Sequence, residues 1–147
     1  MAHKPEDWAD TRPPLMLQMQ ELMQKTWNEL PEDFRSLCPD IELLSDEFPG
    51  PELLEELECD SPYELLGFYF GESEQHSEMI YDYPDMSNTF WLYRRSVLDY
   101  WAETEHTLKE VITHVMVSEI GHHFGLSDHE IALIEVASGG RQNESVH

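Results

Sequence analysis

Apolar side chains recur at three- and four-residue steps early in the chain: Leu15, Met19, Leu22, Met23, Trp27 and Leu30. That spacing is the signature of one face of a helix, and Pro31 ends or kinks it. The methionine-rich stripe reads as core filler, because methionine adapts to irregular gaps. PEDFRSL continues as another helical turn or two. Ile41–Leu44 is a short apolar run bounded by turn residues, which predicts a strand. The cluster Pro49, Gly50, Pro51 breaks the chain, and Glu52–Glu58 reads as an acidic, solvated stretch. SPYELLGFYFGES enters a second strand around Leu66–Phe70, punctuated by Gly67 and Gly71. Residues 72–87 show no period and form the longest expected loop, a kind of segment that often carries function. Phe90, Trp91, Leu92 and Tyr93 make a third, aromatic-rich strand, and SVLDYWAE resumes helix.

The last two elements carry their own start and stop signals. Thr107 and Glu110 form a capping box, in which hydroxyl and carboxylate each satisfy an orphan backbone N–H. The helix it opens should run from about Leu108 to Phe124, and Gly125 supplies the left-handed residue that stops it. Ser127 and Glu130 form a second capping box, starting a helix through Ile131, Leu133, Ile134 and Val136.

The chain has 147 residues, which predicts one domain. We place it at residues 14–137, between a polar arm at 1–13 and a tail at 138–147. The apolar content of 40% fits a globular protein. Thirty-one acids against 8 Lys plus Arg give a net charge of −23. So much negative charge repels phosphate backbones, arguing against nucleic acid and anionic membrane as partners. It describes either a solvated face or a field that attracts basic peptides. No apolar run approaches the roughly 18 residues of a membrane span. The start MAHKPEDWAD has no apolar signal segment, so the expected location is the cytoplasm, with Cys38 and Cys59 as free thiols.

Candidate chemistry gathers in Val117–Asp128, VSEIGHHFGLSD. Ser118 and His122 are four apart and share a helix face, with Glu119 about 100° round from Ser118. With histidine in place of Ser118 the stretch would read H-E-x-x-H-x-x-G-x-x-D, a zinc-peptidase signature. In that layout two histidines grip a metal from one helix face, and the intervening glutamate takes a proton from metal-bound water.

The segment HVMVSEIGHHFGLSDHEIALIE resembles small zincin-like metallopeptidase-family proteins of bacteria. NELPEDFRSLCPDIELLSDEFP is similar to their leading helix and first strand, SPYELLGFYFG to an L-G-x-Y-x-G strand, and FWLYRRSVLDY to an L-Y-R-R-P-I-L segment. Together these matches span about residues 15–137. The resemblance implies an α+β fold of the minimal zincin type, a small mixed sheet packed against an N-terminal helix and an active-site helix. It implies zinc as cofactor, a peptide or protein as substrate, Glu119 as general base, His122 as a metal ligand and Asp128 as the third ligand. Asp128 has a second reading, as an acid favouring the positive end of the last helix. Ser96 departs from the family pattern at a proline position, which concerns only a turn.

Ser118 is the larger departure. Its side chain ends one bond past Cβ, whereas imidazole reaches further and binds zinc as a neutral donor at about 2.0–2.1 Å. Three other histidines could substitute. His114 lies about 12 Å from His122 along the helix, at 1.5 Å per residue, and leans toward the N-terminus, away from the site. His123 points about 100° away from His122, and His129 stands at a helix start that normally faces water. The expectation for this chain is therefore weak or absent zinc and little or no peptide hydrolysis. The alternative is a non-catalytic zincin-fold module that binds a peptide or protein. A purely structural acidic protein is the third possibility. Arg94 and Arg95 suit either a substrate carboxylate or, better, pairing with the chain's own acids.

Overall fold

The computed structural model describes residues 14–71 and 87–138. The expected arm, the tail beyond Ser138 and all of the expected loop except Ser87 fall outside them.

The first helix, α1 (Met16–Asn28), buries the stripe read from the sequence. Met19 and Met23 are completely covered, and Trp27 is nearly so. Leu15 does not join them. It precedes the helix with extended backbone, and its N–H is capped by the Gln18 side chain, which leaves the leucine 67% exposed. Pro31 separates α1 from the one-turn α2 (Glu32–Arg35), which buries Phe34 beside Trp27.

Strand β1 (Glu42–Asp46) begins one residue later and ends two later than the apolar run suggested. Its limits are set by pairing: Glu42 to Asp46 run parallel to Thr89 to Tyr93 of β3 (Thr89–Tyr93). Polar Ser45 belongs to the strand because it has a partner, and its hydroxyl also donates to Gln20 of α1 at 2.6 Å. Gln20 in turn donates to the Leu43 carbonyl, pinning α1 to the sheet. Strand β2 (Gly67–Phe70) lies antiparallel to the other side of β3, so the order is β1-β3-β2, a small mixed sheet.

Strand side chains alternate between faces, and the two faces have different cores. Leu43, Tyr69, Phe90 and Leu92 meet α1 and the long helix α5 (Leu108–His123) in the main core. Phe70 and Tyr93 point the other way and pack with Leu53. Leu53 belongs to α3 (Pro51–Glu56), inside the acidic stretch expected to be solvated. Pro51 at the first helical position presets the backbone angle for a helix, and burial of Leu53 fixes the helix against the sheet.

A 3-10 turn at Pro62–Glu64 leads into β2, and α4 (Arg94–Ala102) follows β3 directly. Ser96 is fully buried in the first turn of α4 and donates to the Pro62 carbonyl at 2.8 Å. It lies in a helix and not in a turn, and its hydroxyl ties two segments together. Arg94 contacts Glu47 at 2.9 Å and the Pro14 carbonyl at 2.7 Å, and Arg95 lies over the Phe48 ring. Both arginines thus serve the scaffold. The last helix, α6 (Asp128–Ala137), folds back on α5. The architecture is α+β, consistent with a minimal zincin. Cys38 and Cys59 are free thiols, and no helix among the described residues is long and apolar enough to cross a membrane.

Candidate functional site

The site is built on the end of α5 and the turn after it. Both halves of the first capping box form: the Thr107 hydroxyl accepts from the Glu110 N–H at 3.1 Å, and the Glu110 carboxylate accepts from the Thr107 N–H at 2.9 Å. From that start α5 runs four turns with Val111, Ile112, Val115, Met116 and Ile120 buried. This burial fixes its rotation and leaves Ser118, Glu119 and His122 on its partly open side.

At its end, the Gly125 N–H donates to the His122 carbonyl at 3.1 Å and the Leu126 N–H to the Gly121 carbonyl at 2.9 Å. This pair of bonds is the Schellman stop. It needs a left-handed residue between them, and Gly125 has φ +84°. The second capping box, Ser127 with Glu130, then starts α6 with Asp128 as its first residue. Gly121 admits this return, since a Cβ there would stand 2.9 Å from Ile131 Cγ1.

The turn brings together three of the residues singled out in the sequence. His122 Nε2 lies 3.0 Å from Asp128 Oδ1, and His122 Nδ1 lies 3.5 Å from the Ser118 hydroxyl. If the carboxylate accepts from Nε2–H, Nδ1 is left to accept the serine O–H. In that arrangement neither ring nitrogen has a free lone pair. Asp128 sits almost wholly in solvent, with its side chain 97% exposed. It is the first residue of α6, as its reading as a helix-start acid expected, and it is also the hydrogen-bond partner of His122. Glu119 is half-buried beside them. Burial raises its carboxyl above the ordinary carboxylate range, and the nearby His122 partly opposes that shift.

The other histidines lie elsewhere. His114 contacts Glu135 of α6 at 2.8 Å, which lifts its ring above the ordinary imidazole value despite burial. His123 turns inward, edge-on to Tyr69 at 4.9 Å and to Phe124 at 5.0 Å between centroids. His129 is exposed on the first turn of α6. None joins His122 and Asp128, and among the described residues no three His, Cys, Asp or Glu groups could hold a metal together.

A catalytic zinc takes three protein ligands with one position left for water. The residues present offer two, already hydrogen-bonded to each other, and a short hydroxyl that stays protonated near neutral pH. They do not fit that centre. The chain Ser118–His122–Asp128 has the composition of a hydrolase triad but not its surroundings. The backbone N–H groups at Ser118 and Glu119 lie inside α5, where the helix itself uses them. No oxyanion hole can form from them.

Sequence reasoning missed the ring cluster of Tyr69, His123 and Phe124 and the His114–Glu135 contact. Both join segments distant in sequence, and neither leaves a local motif. No curated protein matches the chain. The family model described as zincin-like metallopeptidase matches residues 38–137, so α1 and α2, which resembled the family in sequence, lie outside the matched stretch. The match covers α5, the glycine turn and α6 together with the whole sheet, and on that ground the chain belongs to the zincin-like metallopeptidase family.

Proposed function

We propose that this chain is a metallopeptidase-family protein whose site holds zinc weakly or not at all, hydrolyses peptide bonds little or not at all, and keeps the partly open side of α5 that carries Ser118, Glu119 and His122 for binding a peptide or protein segment. The observation that carries this reading is the hydrogen-bonded row from Ser118 through His122 to Asp128. Where the family places a second imidazole, a hydroxyl makes a long contact with the remaining one. Loss of an outer partner of a metal ligand typically lowers affinity by about 10–100-fold, and loss of a ligand lowers it at least as much. Glu119 keeps the environment of a base, half-buried with a raised carboxyl. That favours a site descended from a working one, with its base and scaffold intact.

The test is metal content after dialysis against zinc, for the chain as written and for Ser118→His. We expect far less than one zinc per chain in the first and close to one in the second, with hydrolysis of a fluorogenic peptide only in the second. Adding Glu119→Gln to Ser118→His should retain the metal and lose the hydrolysis. Stoichiometric zinc in the unaltered chain would overturn the reading. Neither metal nor activity in Ser118→His would show that the family chemistry is not latent in this scaffold.

A further inference from the structure

Six of the 10 residues of α6 are apolar, yet only Ile131 is buried. At about 100° per residue, Ile131, Ile134 and Glu135 fall on one arc of the helix. That arc faces α5: Ile131 and Ile134 join the main core, and Glu135 contacts His114. The opposite arc carries, in angular order, Ala132, Val136, His129, Leu133 and Ala137, and spans about 140°. All five residues are exposed, Leu133 at 55% and Val136 at 38%. None of them is Asp, Glu, Lys or Arg. Asp128 borders the arc on one side and Glu130 on the other, and both are exposed.

A surface helix normally turns one apolar stripe to the core and its charges to solvent. In α6 the solvent side is a second apolar stripe, on a chain whose net charge is −23. The stripe is about 15 Å long at 1.5 Å per residue, which matches two or three apolar anchors of a facing helix. Leu133 and Val136 supply ridges, and Ala132 and Ala137 leave shallow grooves beside them, the relief on which helices pack. The borders decide what fits. A helix that lies on a membrane carries Lys or Arg along its polar side, and this one carries acids. A second copy would set two acid-bordered faces together, each on a chain of −23. An extended peptide takes its affinity from backbone partners at a sheet edge, which a helix flank does not offer.

We propose that the outer face of α6 docks an amphipathic helix of a partner protein, one whose apolar stripe is bordered by Lys or Arg. Apolar side chains at three- and four-residue steps on that helix pack around Leu133 and Val136. Its basic border residues meet Asp128 and Glu130, as border charges do between paired helices. The field of the whole chain steers such a helix in and repels an acidic one. The face stands on a different helix from Ser118, Glu119 and His122, so the inference does not rest on the reading of that site.

The probe is a dye-labelled peptide of about 18 residues, long enough to form a helix, with a leucine stripe bordered by lysines. Its binding to the full chain is measured by fluorescence anisotropy. One control has the same composition in an order that makes no stripe, and a second has the same stripe bordered by glutamates. The striped lysine peptide should bind at least about tenfold tighter than its scrambled control, and the glutamate peptide weakest. Leu133→Gln together with Val136→Gln should bring striped and scrambled peptides to the same affinity, with thermal unfolding unchanged. Glu130→Gln, which keeps the acceptor of the capping box, should weaken the striped peptide about two- to fivefold, an effect that salt removes. Equal binding of striped and scrambled peptides to the unaltered chain overturns the face and leaves only attraction by net charge. A preference that survives in the double variant places the binding elsewhere and overturns it too. A marked fall in the unfolding temperature of the double variant shows that the chain itself covers the arc. A dimer in sedimentation velocity that the double variant dissolves assigns the face to a second copy, and either result overturns the partner helix. The zinc measurement on Ser118→His is independent of all these outcomes.

Discussion

Gly67→Ala offers a direct test of how the sheet sets the position of the site helix. Gly67 lies on β2 against α5, and a Cβ built on it would stand 2.8 Å from Phe90 Cζ, 2.8 Å from Val115 Cγ1 and 3.0 Å from the Trp91 carbonyl oxygen. Phe90 is fully buried and Val115 is 6% exposed, so neither side chain can swing into solvent. The carbonyl belongs to the central strand and is held by its neighbours. The methyl group must therefore push β2 and α5 apart or force Phe90 and Val115 off their rotamers. Adding a methyl to a packed core costs about 1–3 kcal/mol. Lower freedom of the unfolded chain returns about 0.4–1 kcal/mol. A net loss of about 1–2 kcal/mol follows, which for a chain of this length lowers Tm by roughly 3–6 °C. Urea unfolding of the single variants and of Gly67→Ala with Val115→Ala closes a double-mutant cycle. Removing Cγ1 relieves one of the three contacts, so Gly67→Ala should be better tolerated in the Val115→Ala background, by at least about 0.5 kcal/mol. If Gly67→Ala stabilised the protein, or if the two changes were additive, the close approach of β2 to α5 would be wrong.

Substitutions at three further positions probe α5 and the turn that leads to α6. His114→Gln should remove a pH-dependent part of the stability. Because Glu135 raises the His114 ring above its ordinary 6.5, the contact stabilises fully below that value and is lost as pH rises through the raised one. Unfolding midpoints from about pH 5.5 to 8.5 should thus fall less steeply in the variant, and parallel curves would refute the pairing. Glu119→Gln should stabilise the chain near pH 7, by up to about 1 kcal/mol, since it removes a carboxylate whose ionisation burial opposes. That gain should shrink as pH falls through the raised carboxyl value toward the ordinary 4.5, where the native acid is neutral in both states. A gain of equal size at every pH would disprove this cause. Gly125→Ala meets no atom within 4 Å, so its whole penalty comes from the φ of +84°. We expect a loss of about 1 kcal/mol, with Gly125→Asn losing less because asparagine tolerates the left-handed region, and equal losses would point to another cause.

What the sequence made legible was local. Both capping boxes, the Gly125 stop and the Met19–Met23 stripe can each be read from a few neighbouring residues, and each is found in the fold. Strand limits were less legible, because Ser45 and Asp46 are strand by virtue of Leu92 and Tyr93, residues far along the chain. Leu53 illustrates the same limit: amid Glu52, Glu55 and Glu56 its burial depends on Phe70 and Tyr93. In the site, the spacing of Ser118, His122 and Asp128 around a glycine turn placed the three together correctly. The inward turn of His123 was not legible, since it depends on Tyr69 and on the space left by Gly71, where a Cβ would lie 2.2 Å from the imidazole Nε2.

The two neighbouring histidines divide the work at the end of α5. His122 faces outward to Ser118 and Asp128, where a change of one side chain alters the chemistry and little of the packing. His123 faces inward, wedged against Tyr69, Phe124 and Gly71, where a change of side chain alters packing first. Ser118 lies on the outward side, only partly covered and with Val115 as its buried neighbour one turn below. Replacing the partly covered side chain there leaves the helix, its caps and the sheet contacts intact, because none of them uses the side chain at 118. The scaffold thus gives no resistance to an exchange between serine and histidine at 118, in either direction. Surface substitutions of this kind are usually within about ±0.5 kcal/mol. Ser118→His without zinc should therefore unfold at nearly the same urea concentration as the unaltered chain, and should shift upward only when zinc is added.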